Sequence, residues 1–407
     1  SGHCGVFSNE NPNPGTTQAV LVKQLDTYTY SSQSLKTVSV NDKAFLFSPG
    51  NWSGDDGRSG SGWRRTWNCG AWFEFTFTAS AAPALSLLAG AATCGAKLTA
   101  YVNGVEEATR AAANGEVSSS GIIPSAENTI RVVIASAGNG NRYSGDVNSV
   151  KVTGVAIDTD SSSGTARTLR SWGMFIGSSR TEGLYALPDG TQDWTKDYSA
   201  LVANALTPQG IDVCISACAG SDYMLAGDGG QVPAYYPNVS GQSARWNLID
   251  SGVSLLDSNG HISAYGETGT EPDFFCIDLF SNGTTNGQDP AAMSAAMIAC
   301  MVALRNAAPN AWIFIIVPSG FYYAPTYPTK YLTALKSAFS TYETTYPADG
   351  RVALIDLGND LSMRITSAVG VYVNTDHVHP LDAGHALISP AIMSGIQQAL
   401  SGPNYQL

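Results

Sequence analysis

Three of the chain's five histidines fall within ten residues, in Asp376-His377-Val378-His379-Pro380-Leu381-Asp382-Ala383-Gly384-His385. An Asp three residues before a His can accept from one imidazole nitrogen and fix the tautomer. The other nitrogen can then take a proton from a hydroxyl. A lone Asp-x-x-His is more often a surface turn, so a matching serine decides its weight. About 200 residues upstream, Ser171-Trp172-Gly173-Met174-Phe175-Ile176 reads as a buried strand and runs into Gly177-Ser178-Ser179-Arg180-Thr181-Glu182-Gly183. A Gly-small-Ser turn at the C-terminal end of a strand exposes a hydroxyl where α/β sheets hold their ligands.

Gly177-Ser178-Ser179-Arg180-Thr181-Glu182-Gly183 resembles the first block of the SGNH (GDSL-type) hydrolases, commonly Gly-Asp-Ser-x-Thr-x-Gly. The C-terminal run resembles that family's last block, Asp-x-x-His-Pro. The resemblance spans residues 170–403 and implies Ser179 as nucleophile, His379 as base and Asp376 as its orienting partner. It also implies an oxyanion hole of the Ser179 N–H, a glycine N–H and an asparagine amide. Ile211 to Ala217 reads as a second strand, followed by Cys218-Ala219-Gly220-Ser221, so Gly220 is the candidate glycine. Pro272 to Phe280 reads as a third, leading into Ser281-Asn282-Gly283, so Asn282 is the candidate amide. Taken alone, Gly220 and Asn282 are equally well read as ordinary turn residues.

The departures from the pattern are specific. Ser178 replaces the Asp of Gly-Asp-Ser, and Phe280-Ser281-Asn282-Gly283 stands for Gly-x-Asn-Asp. Arg180, Phe280, Trp63 and Arg64 are candidate substrate contacts, with Phe280 walling a small acyl pocket. The implied reaction is hydrolysis of small acyl esters, acetyl first, on a carbohydrate, with no cofactor and no metal. Alternatives are an O-acyltransferase with the same site, a lipase or thioesterase, and a non-catalytic carbohydrate-binding or phage adhesin protein.

These residues need a scaffold. Ala311 to Val317 and Arg351 to Asp356 complete five apolar strands, with helical patterns at Ala291–Asn306, Tyr331–Tyr342 and Ala386–Leu400 between or after them. Near-continuous apolar strands alternating with helices predict a parallel sheet in a three-layer α/β/α sandwich. Ser179, Gly220 and Asn282 would all follow strand ends. His377 and His385 are loop and helix-support residues that could line the cleft.

Before residue 158 the pattern is β-rich. Ala71 to Phe77 alternates at period 2, and Asn103-Gly104 is a hairpin turn signal. Strands with Gly/Asn/Ser turns predict a β-sandwich, read as a jelly roll like those that accompany some polysaccharide esterases. The expected division is an irregular arm at 1–30, the jelly roll at 31–157, a polar flexible linker at 158–168 and the esterase domain at 169–403. Trp52, Trp63, Trp67 and Trp72 could stack on sugars, but core or interdomain-seam positions suit them better.

Composition bounds the partners. Residues 1–156 balance 11 Lys+Arg with 11 Asp+Glu, so the net charge of −12 lies entirely in the C-terminal part. That acidity argues against nucleic acid. No apolar run suggests a membrane span. Only 13% of residues are charged, a composition commoner in exported proteins or virion components. The expected setting is extracellular, secreted or cell-surface, or a phage tail, where a trimer is expected. Seven cysteines are too few for a disulfide scaffold. Cys214, Cys276 and Cys300 read as core thiols, and Cys69 could pair with Cys94.

Overall fold

The computed structural model describes residues 17–24, 27–54, 62–90, 96–107, 110–111, 115–116, 121–137, 142–143, 149–263, 270–323, 327–358 and 369–401. Its C-terminal part is built on five parallel strands in the order Ile211–Ala217, Ser171–Gly177, Phe274–Asp278, Trp312–Val317, Val352–Asp356. The first four are buried almost throughout, as strands covered on both faces must be. Helix Tyr198–Leu206 crosses leftwards from the first strand in sequence to the second. Pro290–Ala307 and Thr329–Thr345 accompany the rightward crossings. Right-handed crossovers put these two sets on opposite faces. The final helix, Asp382–Leu400, packs against Tyr198–Leu206, completing the three layers.

The reversal of strand order lies beside Ser171–Gly177, the topological switch point where open α/β sheets form their crevice. Pro290–Ala307 is apolar and long enough, by length and composition alone, to span a bilayer. Its buried residues Met293, Ala296, Met297, Cys300, Met301 and Leu304 recur at helical spacing, the pattern of a core helix lying on a sheet.

Ahead of this region lie two seven-stranded sheets whose pairings are all antiparallel. One runs Thr17–Gln24, Thr27–Ser39, Val150–Asp158, Arg64–Thr66, Ser53–Gly54, with Leu85–Gly90 also on Val150–Asp158 and Gly115–Glu116 beyond it. The other runs Arg110–Ala111, Lys97–Val102, Glu127–Ser136, Trp72–Thr78, Ser162–Ser163, with Phe45–Phe47 and Val105–Glu106 attached. Phe45, Phe47, Phe73, Phe75 and Phe77 of the second share a core with Leu85, Leu87, Val152, Val155 and Ile157 of the first. The Asn103-Gly104 turn forms as expected: Val102 pairs Val105, and both turn residues take positive φ, 50° and 81°.

Two expectations fail here. Thr17–Gln24 and Thr27–Ser39 form an antiparallel hairpin, Gln24 opposite Thr27, where an irregular arm was expected over 1–30. The Thr/Tyr/Val content of that stretch favours extended chain. Nor is 158–168 a free linker. Asp158 accepts from the Ser161 N–H (2.9 Å) and hydroxyl (2.6 Å), and Ser162–Ser163 pairs with the end of Trp72–Thr78. The polar composition that suggested flexibility makes a side-chain-capped turn instead.

The two regions meet along the outer edge of Ile211–Ala217. Its carbonyls at Val213, Ile215 and Ala217 point away from the sheet. They accept from the Trp72 indole (3.0 Å), the Asn51 amide (2.7 Å) and the Arg245 guanidinium (2.9 Å). Arg245 also reaches Asn68, and Gly70 lies against Ile215 and Trp194 where no Cβ fits. An edge that would otherwise invite another strand is therefore satisfied by side chains.

Trp72→Phe removes the indole N–H and leaves the Val213 carbonyl without its donor in a buried seam. The expected cost is about 1–3 kcal/mol, read as a lower urea midpoint with the far-ultraviolet circular dichroism of the folded state unchanged.

Candidate active site

The strand Ser171–Gly177 ends in a reversal that only glycine permits at 177, since a Cβ there would collide with the Thr181 side chain. The turn closes through Thr181 N–H to Ser178 O (3.0 Å) and Leu184 N–H to Ser179 O (2.9 Å). Ser179 sits at its crest, 6% exposed. The Ser179 hydroxyl lies 2.7 Å from His379 Nε2, two hundred residues later in the chain.

His379 is held by its own loop. One Asp376 oxygen accepts from the Val378 N–H (2.8 Å) and the His379 N–H (3.0 Å), folding Asp-x-x-His into a turn. The other lies 2.6 Å from His379 Nδ1. The loop is closed by Asn374 N–H to His379 O (2.8 Å) and by a bridge between Val373 and Pro380. Partial burial works against the Asp376 charge, but the imidazole and the two N–H groups outweigh it and bring the carboxyl down to about 2. Tyr185 stands edge-on to the His379 ring, 5.1 Å between centroids, itself at φ 58°. Hydroxyl, imidazole and carboxylate thus form one continuous relay of the kind that can activate a serine.

Gly220 and Asn282 come together beside this relay's scaffold: the Asn282 amide donates to Ser221 O at 2.9 Å. Gly220 is exposed, with φ 78°, and neither its N–H nor that of Ser179 has an acceptor among the described residues. Both remain able to donate to an added oxygen.

The first block is tied to the second by Glu182. Its Oε1 accepts from the Ala219 N–H (2.9 Å), and the carboxylate pairs with Arg142 at 2.9 Å. Both side chains are almost completely buried, and Arg142 belongs to the β-rich region. The Arg142 N–H also reaches Asp228.

The candidate substrate contacts are not brought to a cleft. Arg180 is buried and engaged with Asp278 (2.7 Å) and the Ser281 hydroxyl. Phe280 is fully buried against Tyr223, so it walls no open pocket. Arg64 is buried with its guanidinium 4.4 Å over the Phe47 ring, inside the β region. Trp63 is half-buried under Arg65 and Lys151, and Arg65 pairs with Asp250 across the seam. Trp52, Trp67 and Trp72 are core or seam residues.

His385 is buried in the first turn of the last helix and accepts from the Tyr198 N–H (3.2 Å). Burial foremost, then the Arg180 cation, push it down to about 3, so it stays neutral, and its burial keeps it from lining the cleft. His377 is an exposed loop residue. Cys69, Cys214, Cys218, Cys276 and Cys300 are buried free thiols; Cys94 lies outside the described residues. Among the described residues no group of three or more His, Cys, Asp and Glu is placed to hold a metal.

This sheet order, with the serine after its first strand and Asp-x-x-His before its last helix, is that of the SGNH (GDSL-type) hydrolase fold. Solved structures agree. A family two carbohydrate esterase from Cellvibrio japonicus superposes with a TM-score of 0.66 at 13% identity, over 90% of this chain and 98% of its own. One from Clostridium thermocellum, in complex with cellohexaose, gives 0.62 at 16%, over 88% and 99%. A salicylyl-acyltransferase from a tetracycline biosynthetic pathway gives 0.60 at 14%, over 91% and 99%. No family model matches the sequence, and no curated relative matches it.

Arg142→Met strands the Glu182 carboxylate without its cation. Breaking a buried pair this way should cost about 3–5 kcal/mol, and adding Glu182→Gln should recover part of it; thermal melts of the two variants check this. A second expectation concerns pH. A carboxyl lowered on folding stabilises fully above its unfolded value near 3.9 and loses that contribution as pH falls toward about 2. Asp376→Asn should therefore flatten the acid limb of the melting curve between about pH 4 and 2, while leaving it parallel to wild type above pH 5.

Proposed function

We propose that the protein is a serine esterase that removes small acyl groups, acetyl first, from a carbohydrate. The observation that carries the reading is the unbroken relay from Ser179 through His379 to Asp376, at 2.7 and 2.6 Å. The fold neighbours support the ester and sugar chemistry: they include family two carbohydrate esterases and an acetyl xylan esterase from Butyrivibrio proteoclasticus.

In this reading Ser179 Oγ attacks the ester carbonyl as His379 Nε2 takes its proton. The carbonyl π pair moves onto oxygen, where the Ser179 and Gly220 N–H groups and the Asn282 amide receive it. Asp376 keeps Nδ1 protonated and stabilises the imidazolium. The intermediate collapses, His379 gives its proton to the leaving sugar oxygen, and an acyl-Ser179 remains. Water, deprotonated by His379, repeats the addition and releases the acid. No cofactor enters these steps.

With Phe280 buried, the preference for acetyl rests on the neighbours rather than on a pocket wall. The β-rich region suits an accessory jelly roll over 31–157, extended by the hairpin before it, and 169–403 suits the esterase domain. An extracellular or cell-surface setting agrees with the low charge. A second reading, acyl transfer to a hydroxyl in place of water, is favoured by one observation: the salicylyl-acyltransferase among the fold neighbours.

Acetate release from a panel of acetylated polysaccharides tests the proposal, with and without an unacetylated sugar acceptor. Ser179→Ala should abolish release and Ser178→Ala should not; the reverse would move the nucleophile. Asn282→Ala should lower kcat by roughly 10²–10³ with KM little changed, because the oxyanion forms only in the reaction. A kcat within a few-fold of wild type would leave Asn282 a turn residue.

A further inference from the structure

The fragment Phe280-Ser281-Asn282-Gly283 departs from Gly-x-Asn-Asp at both ends, and the structure shows a cost at each. Phe280 takes φ 88°, the left-handed region that glycine enters freely and a bulky residue does not. At 283 a Cβ would sit 2.5 Å from Met293 Cε and 2.7 Å from Gln288 Oε1, so any side chain there would have to displace the ends of both. A carboxylate nonetheless lies against this turn, and it comes from the second block. Asp222 Oδ1 accepts from the Phe280 N–H at 2.7 Å and from its own neighbour's, Tyr223, at 2.8 Å. Its Oδ2 accepts from the Gly283 N–H at 2.8 Å. Asp222 is 1% exposed, and no cation pairs with it among the described residues.

A buried carboxylate without a partner cation is costly and persists only where several donors hold it. Burial pushes the Asp222 carboxyl up, against the N–H groups of Gly283, Phe280, Tyr223 and Asn282, which favour its charge. The donors flank Asn282 on both sides. Two residues before Asp222 stands Gly220, and Asn282 itself donates to Ser221 between them. One side chain therefore fixes the strained Phe280 backbone, the entry to the short helix Ser281–Thr285, and the separation of the second-block and third-block loops.

We propose that Asp222 is the positioning residue of the oxyanion hole: it sets where the Asn282 amide and the Gly220 N–H stand relative to Ser179, and does not touch substrate itself. This rests on the esterase reading above and adds a residue to it. Because Asp222 acts through Asn282, the two should behave as one unit. Their effects on kcat should overlap rather than multiply.

The test is a double-mutant cycle with p-nitrophenyl acetate, using the full chain. Asp222→Asn keeps the volume and one acceptor oxygen, so it is the arm on which the conclusion stands; Asp222→Ala is the harsher second variant and the one at risk of not folding. Asp222→Asn should lower kcat by about tenfold or more with KM within about twofold. In the Asn282→Ala background the same change should cost at most about twofold in kcat. A thermal melt on each variant separates folding from chemistry. Equal losses in both backgrounds would make Asp222 a general structural residue and overturn the proposal. So would a wild-type kcat in Asp222→Asn with only a lowered melting temperature. If the unmutated protein, compared with Ser179→Ala, shows no ester cleavage on any acetylated substrate, the esterase reading fails first and the role of Asp222 falls with it. Cleavage that Ser179→Ala abolishes but Asp222→Asn spares removes Asp222 alone.

Discussion

The geometry of the site hangs on a carboxylate that no solvent reaches. Glu182 lies three residues beyond Ser179, takes the Ala219 N–H beside Gly220, and is neutralised by Arg142 from the β-rich region. Such a pair is a poor source of stability, because desolvating two charges offsets most of their attraction. It is effective at specifying one arrangement, since every alternative leaves a buried charge unmatched. The pair and the Ala219 N–H tie the first and second blocks to each other and to the β-rich region.

That docking is supported along its whole length by groups of complementary type. The indole of Trp72 and the amide of Asn51 meet the Val213 and Ile215 carbonyls of one strand, and Arg245, from the C-terminal part, joins the Ala217 carbonyl to Asn68 of the β region. Arg167 adds a bridge, pairing with Glu74 of the β region and Asp212 at the start of that strand. Of the tryptophans that invite a sugar-binding interpretation, Trp72 serves this seam, Trp52 and Trp67 are buried, and Trp63 lies under Arg65 and Lys151. The β-rich region is better understood as part of the site's framework than as a separate module beside it.

What could be read from the sequence was whatever is local or periodic. Asp376 and His379 are three residues apart, so one turn suffices to join them. The five strands announce themselves as apolar runs. Ser179 was legible only because a second motif lay at the far end of the chain. The failures share a cause. Arg180, Phe280 and Arg64 sit beside chemically suggestive residues in sequence, but their side chains turn inward toward partners 98 residues away, 57 residues back or in the facing sheet. Asp222 was missed because its donors lie 58 and 61 residues downstream. The 158–168 stretch was mistaken because Ser and Asp serve turns and flexible chain alike, and only the Asp158–Ser161 bonds distinguish them.

The strand order carries a consequence for how the chain is made. Emerging from its N-terminus, the protein first completes most of the β-rich region, then the strand at 171–177, then the one at 211–217, whose outer edge meets that region at Val213 and Ile215. From there the remaining three strands, at 274–278, 312–317 and 352–356, add one at a time and in sequence to the single open side. The sheet can therefore grow outward in the direction of synthesis, each strand docking on one already placed. His379 follows Ser179 by 200 residues, so the nascent chain carries its serine through that whole span without the base that would arm it.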